Sequence, residues 1–324
     1  MAHVVAGGAS KDDAAKDDTA KDEGDVARGE SRDVPQVGRA LPEGRPCVFA
    51  VLRAGEVSLG DPRTAFLRPD DLGVLRGDGV FERFLVRSGR PRHLEEHLQR
   101  MGRSASMVAL DIPPAALWRQ AVDLAASAWA GADEWEMRLV CTRGPEEGGP
   151  CTAYVLGQEL SASVLRQRRE GVAVITLERG LSSGLAGQMP WLLLGAKTLS
   201  YAANMAAKRW AEAHGADDAI FVGADGKIWE AETSAVVAAF GRRLVSPSPE
   251  VGILDSVSVK RLFDVARGAG WQAERDDLTL EDLLVADGVW LSSSLRFARV
   301  RTLDGKALAP APAHAELAAL AEAS

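Results

Sequence analysis

The sequence predicts an α+β fold of two domains behind a disordered tail, on three observations. Residues 1–44 are mostly Ala, Gly, Asp, Lys and Glu, as in Lys11-Asp12-Asp13-Ala14-Ala15-Lys16, and bury too little surface to offset their ordering entropy. Residues 45–160 hold strand-type runs and two helix-type runs, a compact α+β unit. A charged stretch at 161–170 then reads as a linker, and 171–324 open a second, larger unit. With 324 residues the chain is long enough for both and for a substantial core.

Composition removes several classes of function. A net charge of -8 without a basic stripe argues against nucleic acid as a partner. Cys47, Cys141 and Cys151 are odd in number and at no metal-ligand spacing, so neither a disulfide framework nor a metal site is expected. No apolar run reaches the roughly 18 residues of a membrane helix, and no signal-peptide core opens the chain. The expectation is a cytoplasmic protein with no membrane contact.

Order begins at Pro46-Cys47-Val48-Phe49-Ala50-Val51-Leu52, a β-branched and aromatic run of strand length, closed by a Gly-Glu turn. Gly77-Asp78-Gly79 precedes the alternating strand Val80-Phe81-Glu82-Arg83-Phe84-Leu85-Val86, and reads as a tight turn or as a phosphate cradle. Ser88-Gly89 closes a hairpin. From Leu94 the period turns helical: Leu94, Leu98, Met101 and Ala105 share a face, Glu95, Glu96, Gln99 and Arg103 oppose it, and Arg100 stands beside the apolar stripe. A second helix follows Pro113-Pro114. The next strand ends in Arg143-Gly144 before a loop rich in Gly, Pro and Glu, and Thr152-Ala153-Tyr154-Val155-Leu156 is the strand after it. An arginine there is either a solvated turn residue or a clamp for a substrate carboxylate.

The second unit opens with a strand at 171–177 and a glycine-rich loop too irregular for a nucleotide fingerprint. Leu194-Gly195-Ala196-Lys197 then sets a lysine behind apolar residues and ahead of a helix-like run. At a strand-to-helix transition, desolvation would lower the pKa of that amine and make it nucleophilic; the alternative is a solvated lysine at a helix start. Asp225-Gly226 is a strong hairpin signal, returning the chain as Lys227-Ile228-Trp229-Glu230-Ala231-Glu232. The apolar run at 235–240 reads as the same strand continued, with Glu230 and Glu232 on one face. A carboxylate on a buried sheet needs a partner. Residues 251–258 lead into an amphipathic helix whose start is either a simple N-cap or an anion seat. The last strand, 288–294, ends in Ser292-Ser293-Ser294, a loop or a set of hydroxyl ligands.

Several of these pieces recur together in one family. Gly77-Asp78-Gly79-Val80-Phe81-Glu82, His97-Leu98-Gln99-Arg100, Arg143-Gly144, Lys197-Thr198-Leu199-Ser200-Tyr201 with Asn204-Met205, and the Glu230 hairpin resemble, in that order, the fold-type IV pyridoxal-phosphate enzymes. These comprise branched-chain and D-amino-acid aminotransferases and aminodeoxychorismate lyase. The resemblance spans about 67–304 and implies the D-amino-acid aminotransferase-like architecture with pyridoxal 5'-phosphate as cofactor. It makes Lys197 the residue that carries the cofactor and then acts as general base. It gives cofactor contacts to Arg100, Lys197, Tyr201, Glu230, Val257, Ser258, Ser293 and Ser294. Glu230 would face the ring nitrogen, a role that Glu232 can exchange with it, and Arg143 would meet the substrate carboxylate.

The chain also departs from the family. Its phosphate turn reads Leu254-Asp255-Ser256-Val257-Ser258-Val259, without the usual glycine and arginine, and an aspartate beside a phosphate repels it. The Arg76-Gly77-Asp78-Gly79 motif is similar to the lyase and D-amino-acid branches. The implied activity is elimination of pyruvate from 4-amino-4-deoxychorismate to give 4-aminobenzoate, a folate precursor. A D-amino-acid or branched-chain aminotransferase is the alternative, and a homologue that binds cofactor or another anion without turnover is the second. The implied ligand is a small amine-bearing carboxylate, and the implied assembly a homodimer.

Overall fold

Two hairpins with tight turns start the first sheet. β1 (Cys47–Arg53) and β2 (Glu56–Leu59) turn at Ala54-Gly55, and β3 (Gly79–Arg87) and β4 (Arg90–Pro91) turn at Ser88-Gly89; all four turn residues take positive φ. β5 (Glu134–Thr142) and β6 (Thr152–Glu159) complete the antiparallel order β2-β1-β6-β5-β3-β4. The computed structural model describes residues 46–324 except Ala186, so the tail expected at 1–44 lies outside the described residues.

Alternation along β3 decides what each face of this sheet does. Val80, Phe84 and Val86 are buried under Leu98 and Met101 of α2 (Leu94–Met107) and Trp118 and Val122 of α3 (Ala115–Ala128), both after the short helix α1 (Leu72–Arg76). Each such side chain contributes about 1.5–3 kcal/mol on leaving water. Phe81 and Arg83 point the other way, across a cavity.

The charged stretch at 161–170 is not an open linker. It is helix α4 (Ala162–Glu170), N-capped by Ser161, whose hydroxyl accepts from the Val164 amide at 3.2 Å. Arg168 on it reaches Glu134 of β5 at 2.5 Å and the Leu295 carbonyl at 2.7 Å.

The second sheet has nine strands among the described residues. β7 (Val172–Glu178) runs parallel to β8 (Asp218–Val222), and β8 turns at Asp225-Gly226 into β9 (Ile228–Ala231). Between β7 and β8 lies helix α5 (Ala202–Ala213). β10 (Ala235–Phe240), β11 (Arg243–Ser246), β12 (Gln272–Arg275), β13 (Gly288–Ser293), β14 (Arg296–Leu303) and β15 (Lys306–Ala307) follow, with helices α6 (Val257–Gly268), α7 (Leu280–Val285) and α8 (His314–Ala323).

Two expectations are corrected here. The run at 235–240 does not continue β9: the sheet order is β12-β11-β10-β13-β14-β7-β8-β9, so β9 and β10 are different strands. Residues 232–234 alone join them, a reach of roughly 10 Å, so the sheet curls until the two strands meet. β10 is apolar throughout because both its faces are buried: Val236 and Ala238 pack on one side, Ala235, Val237 and Ala239 on the other. The strand ending in the serine triplet is not the last either, since β14 and β15 come after it. Among the described residues no helix is long and apolar enough to cross a membrane.

Candidate active site

Lys197 sits in an extended segment ahead of α5 that adds itself to the start of β3. The Phe81 amide donates to the Lys197 carbonyl at 3.2 Å, the Leu199 amide to the Gly79 carbonyl at 2.9 Å, and the Lys197 amide to Ser104 Oγ at 3.0 Å. Gly195 makes the preceding turn at φ +80°, where a Cβ would lie 3.1 Å from the Ile253 carbonyl. The backbone is thus held on three sides. The amine lies 4.4 Å from the centroid of Phe81 and 5.9 Å from that of Tyr201, and those rings meet edge to face at 5.5 Å. Burial, with the Arg100 charge adding, brings its pKa down to about 8.

The amine opens on a cavity of about 530 Å³ that both sheets line. Glu230, Glu232, Tyr201, Ser258, Ser293, Ser294 and Arg100 line it with Lys197, so the structure brings these expected residues together. Glu230 Oε2 accepts from the Leu254 amide at 3.3 Å, and burial raises its carboxyl pKa. Glu232 lies in the bend after β9, its carbonyl held by Asn204 Nδ2 at 2.7 Å. One of its oxygens meets Lys208 Nζ at 3.2 Å and the other, buried, has no partner. Burial and the neighbouring Asp218 push its pKa up to about 7.

At one end of the cavity hydroxyls and a helix start converge. Ser256 caps α6, accepting from the Val259 amide at 3.3 Å, while Ser258 Oγ lies 3.4 Å from Ser294 Oγ. Arg100 stands beside them, but its bidentate face is taken: Nε and Nη2 each donate to Glu82 at 2.7 Å, and Nη1 donates to the Asp255 carbonyl at 3.1 Å. What Arg100 has left to offer an anion here is its remaining hydrogens, not its fork. Val257 is the first residue of α6, and its side chain is buried off the main cavity beside a smaller outer pocket. Asp255 also faces that outer pocket, 3.7 Å from Arg103 and 3.8 Å from both Lys260 and Arg275. The aspartate that would repel a phosphate is turned outward onto three cations.

The structure does not bring Arg143 to the cavity. It donates to Asp78 through Nε at 2.6 Å and Nη2 at 3.1 Å, and to the carbonyls of Val108 and Ala109 at 2.7 and 3.0 Å. Arg83 and Arg138 line the cavity instead. They are direct cross-strand partners on β3 and β5, on the cavity face with Phe81, Val140 and Tyr154. They share Glu136, at 3.0 Å from Arg83 Nε and 3.4 Å from Arg138 Nη2, and the buried Nε of Arg138 has no partner. Burial, then the Arg83 charge, lowers the Arg138 pKa. Spacing of two from Phe81 marks Arg83 in the sequence; nothing there shows which face the second unit covers.

A desolvated amine, a buried carboxylate and a cluster of hydroxyls at a helix start around one cavity, on two sheets of which the second is curled, define a fold-type IV pyridoxal-phosphate enzyme. The donor set fits that cofactor: an amine for its aldehyde, hydroxyls and a helix start for its phosphate, a carboxylate for its ring nitrogen. Residues 79–302 match the family model of amino-transferase class IV. The chain belongs to this family. It is 43% identical over 273 residues to the bifunctional aminodeoxychorismate lyase / D-amino acid transaminase of Mycobacterium tuberculosis, covering 81% of this chain and 94% of that one. It is 27% identical over 246 residues to the aminodeoxychorismate lyase of Bacillus subtilis, covering 72% and 80%. A solved hypothetical aminotransferase from Mycobacterium tuberculosis in its PLP-bound form matches with a TM-score of 0.82 and 43% identity, over 86% of this chain and 98% of that one.

Proposed function

We propose that this protein is a pyridoxal-phosphate-dependent 4-amino-4-deoxychorismate lyase that releases pyruvate and 4-aminobenzoate, with D-amino-acid aminotransferase turnover at the same site. The observation that carries a carboxylate-bearing substrate is Arg138 on the wall of the cavity that holds Lys197, its buried Nε without a partner and its one contact a 3.4 Å reach to Glu136. The similarity to a bifunctional enzyme with both activities in its name supports the choice of reactions.

When bound, the cofactor supplies a ring that takes up the electron pair left on the carbon bearing the substrate amine. Lys197 would hold its aldehyde end and, when the amine is free, would remove the proton from that carbon; a pKa of about 8 suits both tasks. Glu230 keeps a proton at the ring nitrogen. The start of α6 with Ser258, Ser293, Ser294 and Arg100 seats the phosphate, and Phe81 and Tyr201 keep water from the amine. Arg83 and Arg138 orient the substrate carboxylate in the role the sequence suggested for Arg143. In the lyase the bond from the substrate ring to the enolpyruvyl oxygen would break, the electron pair leaving with enolpyruvate, which takes up a proton to become pyruvate while the substrate ring aromatises.

A cytoplasmic homodimer is the setting we propose, supported by the family and by exposed apolar side chains at Val74, Leu75 and Trp191. The test of activity supplies aminodeoxychorismate with no keto-acid acceptor. Formation of 4-aminobenzoate and pyruvate is the expected result. No product, together with turnover of D-alanine and 2-oxoglutarate, would assign the protein to the aminotransferases instead.

A further inference from the structure

Two buried side chains behind the anion end, Glu82 and His97, have no part in the mechanism above. Glu82 is wholly buried on the core face of β3, and its Oε2 lies 2.7 Å from His97 Nδ1. His97 is buried as well, its ring 5.1 Å from that of Phe84. The other ring nitrogen, Nε2, lies 3.3 Å from Ser294 Oγ, and Ser294 Oγ lies 3.4 Å from Ser258 Oγ. Carboxylate, imidazole and two hydroxyls thus lead in line from the core to the cavity wall.

Counting hydrogens along this line shows an unresolved choice. Burial opposes ionisation of Glu82, but the charges and hydrogen bonds of Arg100 and His97 outweigh it and hold the carboxyl far below its usual range. The hydrogen between Glu82 and His97 therefore sits on Nδ1. A neutral imidazole then has a bare lone pair at Nε2, which the Ser294 hydroxyl satisfies by donating its only hydrogen inward. That leaves Ser294 with lone pairs alone to show the cavity, where an anion needs hydrogens.

We propose that His97 is the positioning residue of the anion seat: arrival of a phosphate dianion brings a proton onto His97 Nε2, which donates to Ser294 and turns the Ser294 hydrogen toward the anion. This deepens the proposed function and rests on its placement of the phosphate at this end. One proton is taken up per anion seated, and no covalent bond other than N–H is made. The charged groups facing His97 are Glu82 from β3, Arg100 and His93 from α2 and its cap, and Lys197 from the extended segment. Burial lowers the His97 pKa, Glu82 opposes that, and Arg100 and Lys197 add to it. His93 is pushed to about 4 by burial and by Arg261 and Arg92, so it is neutral in the range that matters. A seated dianion adds opposite charge and raises the His97 pKa. Affinity for the anion therefore falls as pH rises from the free His97 pKa to the bound one.

The test uses full-length, cofactor-free protein with 15N-labelled histidine, titrated with sulfate from about pH 5.5 to about pH 8. Sulfate is a dianion throughout, so the ligand contributes no titration of its own. At about pH 7 the Nε2 signal of His97 is expected at the position of a bare ring nitrogen without sulfate and of a protonated one with it. Sulfate affinity, read by competition against pyridoxal phosphate binding, is expected to fall by up to about tenfold per pH unit, and to lose this dependence in His97→Gln. A parallel series on Lys197→Ala, read by the sulfate-induced rise in melting temperature, removes the lysine charge from that slope. Should His97→Gln not fold, the Phe84 ring assigns the wild-type signal and that spectrum decides. Sulfate bound with Nε2 still bare overturns the inference and leaves the phosphate placement standing. Sulfate that fails to compete at all overturns both.

Discussion

Arg100 and Arg138 stand on the wall of one cavity in opposite states. Arg100 spends three of its donors on the two oxygens of Glu82 and the Asp255 carbonyl before any ligand arrives. Arg138 has one distant contact, 3.4 Å to a carboxylate that Arg83 also uses, and a buried Nε with no partner. A buried donor left unmade costs roughly 1–3 kcal/mol, and like charges directly opposite on neighbouring strands destabilise further. The fold bears that cost at one end only. On the proposed function, the arginine beside the resident phosphate has its donors satisfied in advance, and the one beside a substrate that changes at every turnover is completed by that substrate.

Substitutions at the two ends, and at the lysine between them, can break this contrast. The largest effect is expected from Lys197→Ala, with turnover lower by about 1,000-fold or more in the lyase assay, since the other lysine on the cavity, Lys208, is held by Glu232 at 3.2 Å. Borohydride treatment should then leave no label on the chain. Arg100→Leu comes next. It leaves Glu82 buried without its guanidinium, costs about 3–5 kcal/mol of stability, and should loosen pyridoxal phosphate in absorbance titrations. Arg138→Leu is expected to spare both stability and cofactor affinity while kcat/KM falls by about 10- to 100-fold, mostly through KM, the worth of a charged hydrogen bond. If Arg138→Leu weakened the cofactor as much as the substrate, the two ends would not be distinct.

The pH dependence of cofactor capture sharpens the same contrast from the middle of the cavity. The reactive form of Lys197 is the free amine, and burial has lowered its pKa to about 8. Capture by the cofactor-free protein should therefore speed up as pH rises toward 8 and level off above it, followed by absorbance after rapid mixing. A rate still climbing steeply near pH 10 would mean an ordinary solvated lysine.

What the sequence made legible follows the range of the interactions involved. Alternation in 80–86, the Asp225-Gly226 turn and the stripe from Leu94 are local patterns, and β3, the β8–β9 hairpin and α2 form where those patterns place them. Lys197 and Glu230 stand out because an ordered set of motifs marks them, while Ser258 and Ser294 are marked by the family resemblance outside those motifs; all four share the cavity. Arg83 and Arg138 stayed hidden because period two groups residues by face without saying which face a distant sheet will cover. The bend at 232–234 was missed because an apolar run after a strand looks like more strand; only the curl of the sheet separates the two. Helix α4 looked like a linker because its partners, Glu134, Leu295 and Arg296, are far away in the chain.

Arg143→Ala should have the smallest effect, and it separates the sequence motif from the site. Arg143 is the arginine that sequence spacing offers for a substrate carboxylate, yet Asp78 and two carbonyls at the end of α2 occupy its donors. Its side chain is about one third exposed, as is that of Asp78. Water can replace the contacts on removal, so stability should change by no more than about 1 kcal/mol. KM for the carboxylate substrate should shift by less than about threefold, against the 10- to 100-fold of Arg138→Leu. Measured side by side in one assay, the two variants decide which arginine meets the substrate; a larger rise in KM from Arg143→Ala would mean that its loop swings over the cavity when substrate binds, and that the unpartnered Nε of Arg138 has another use.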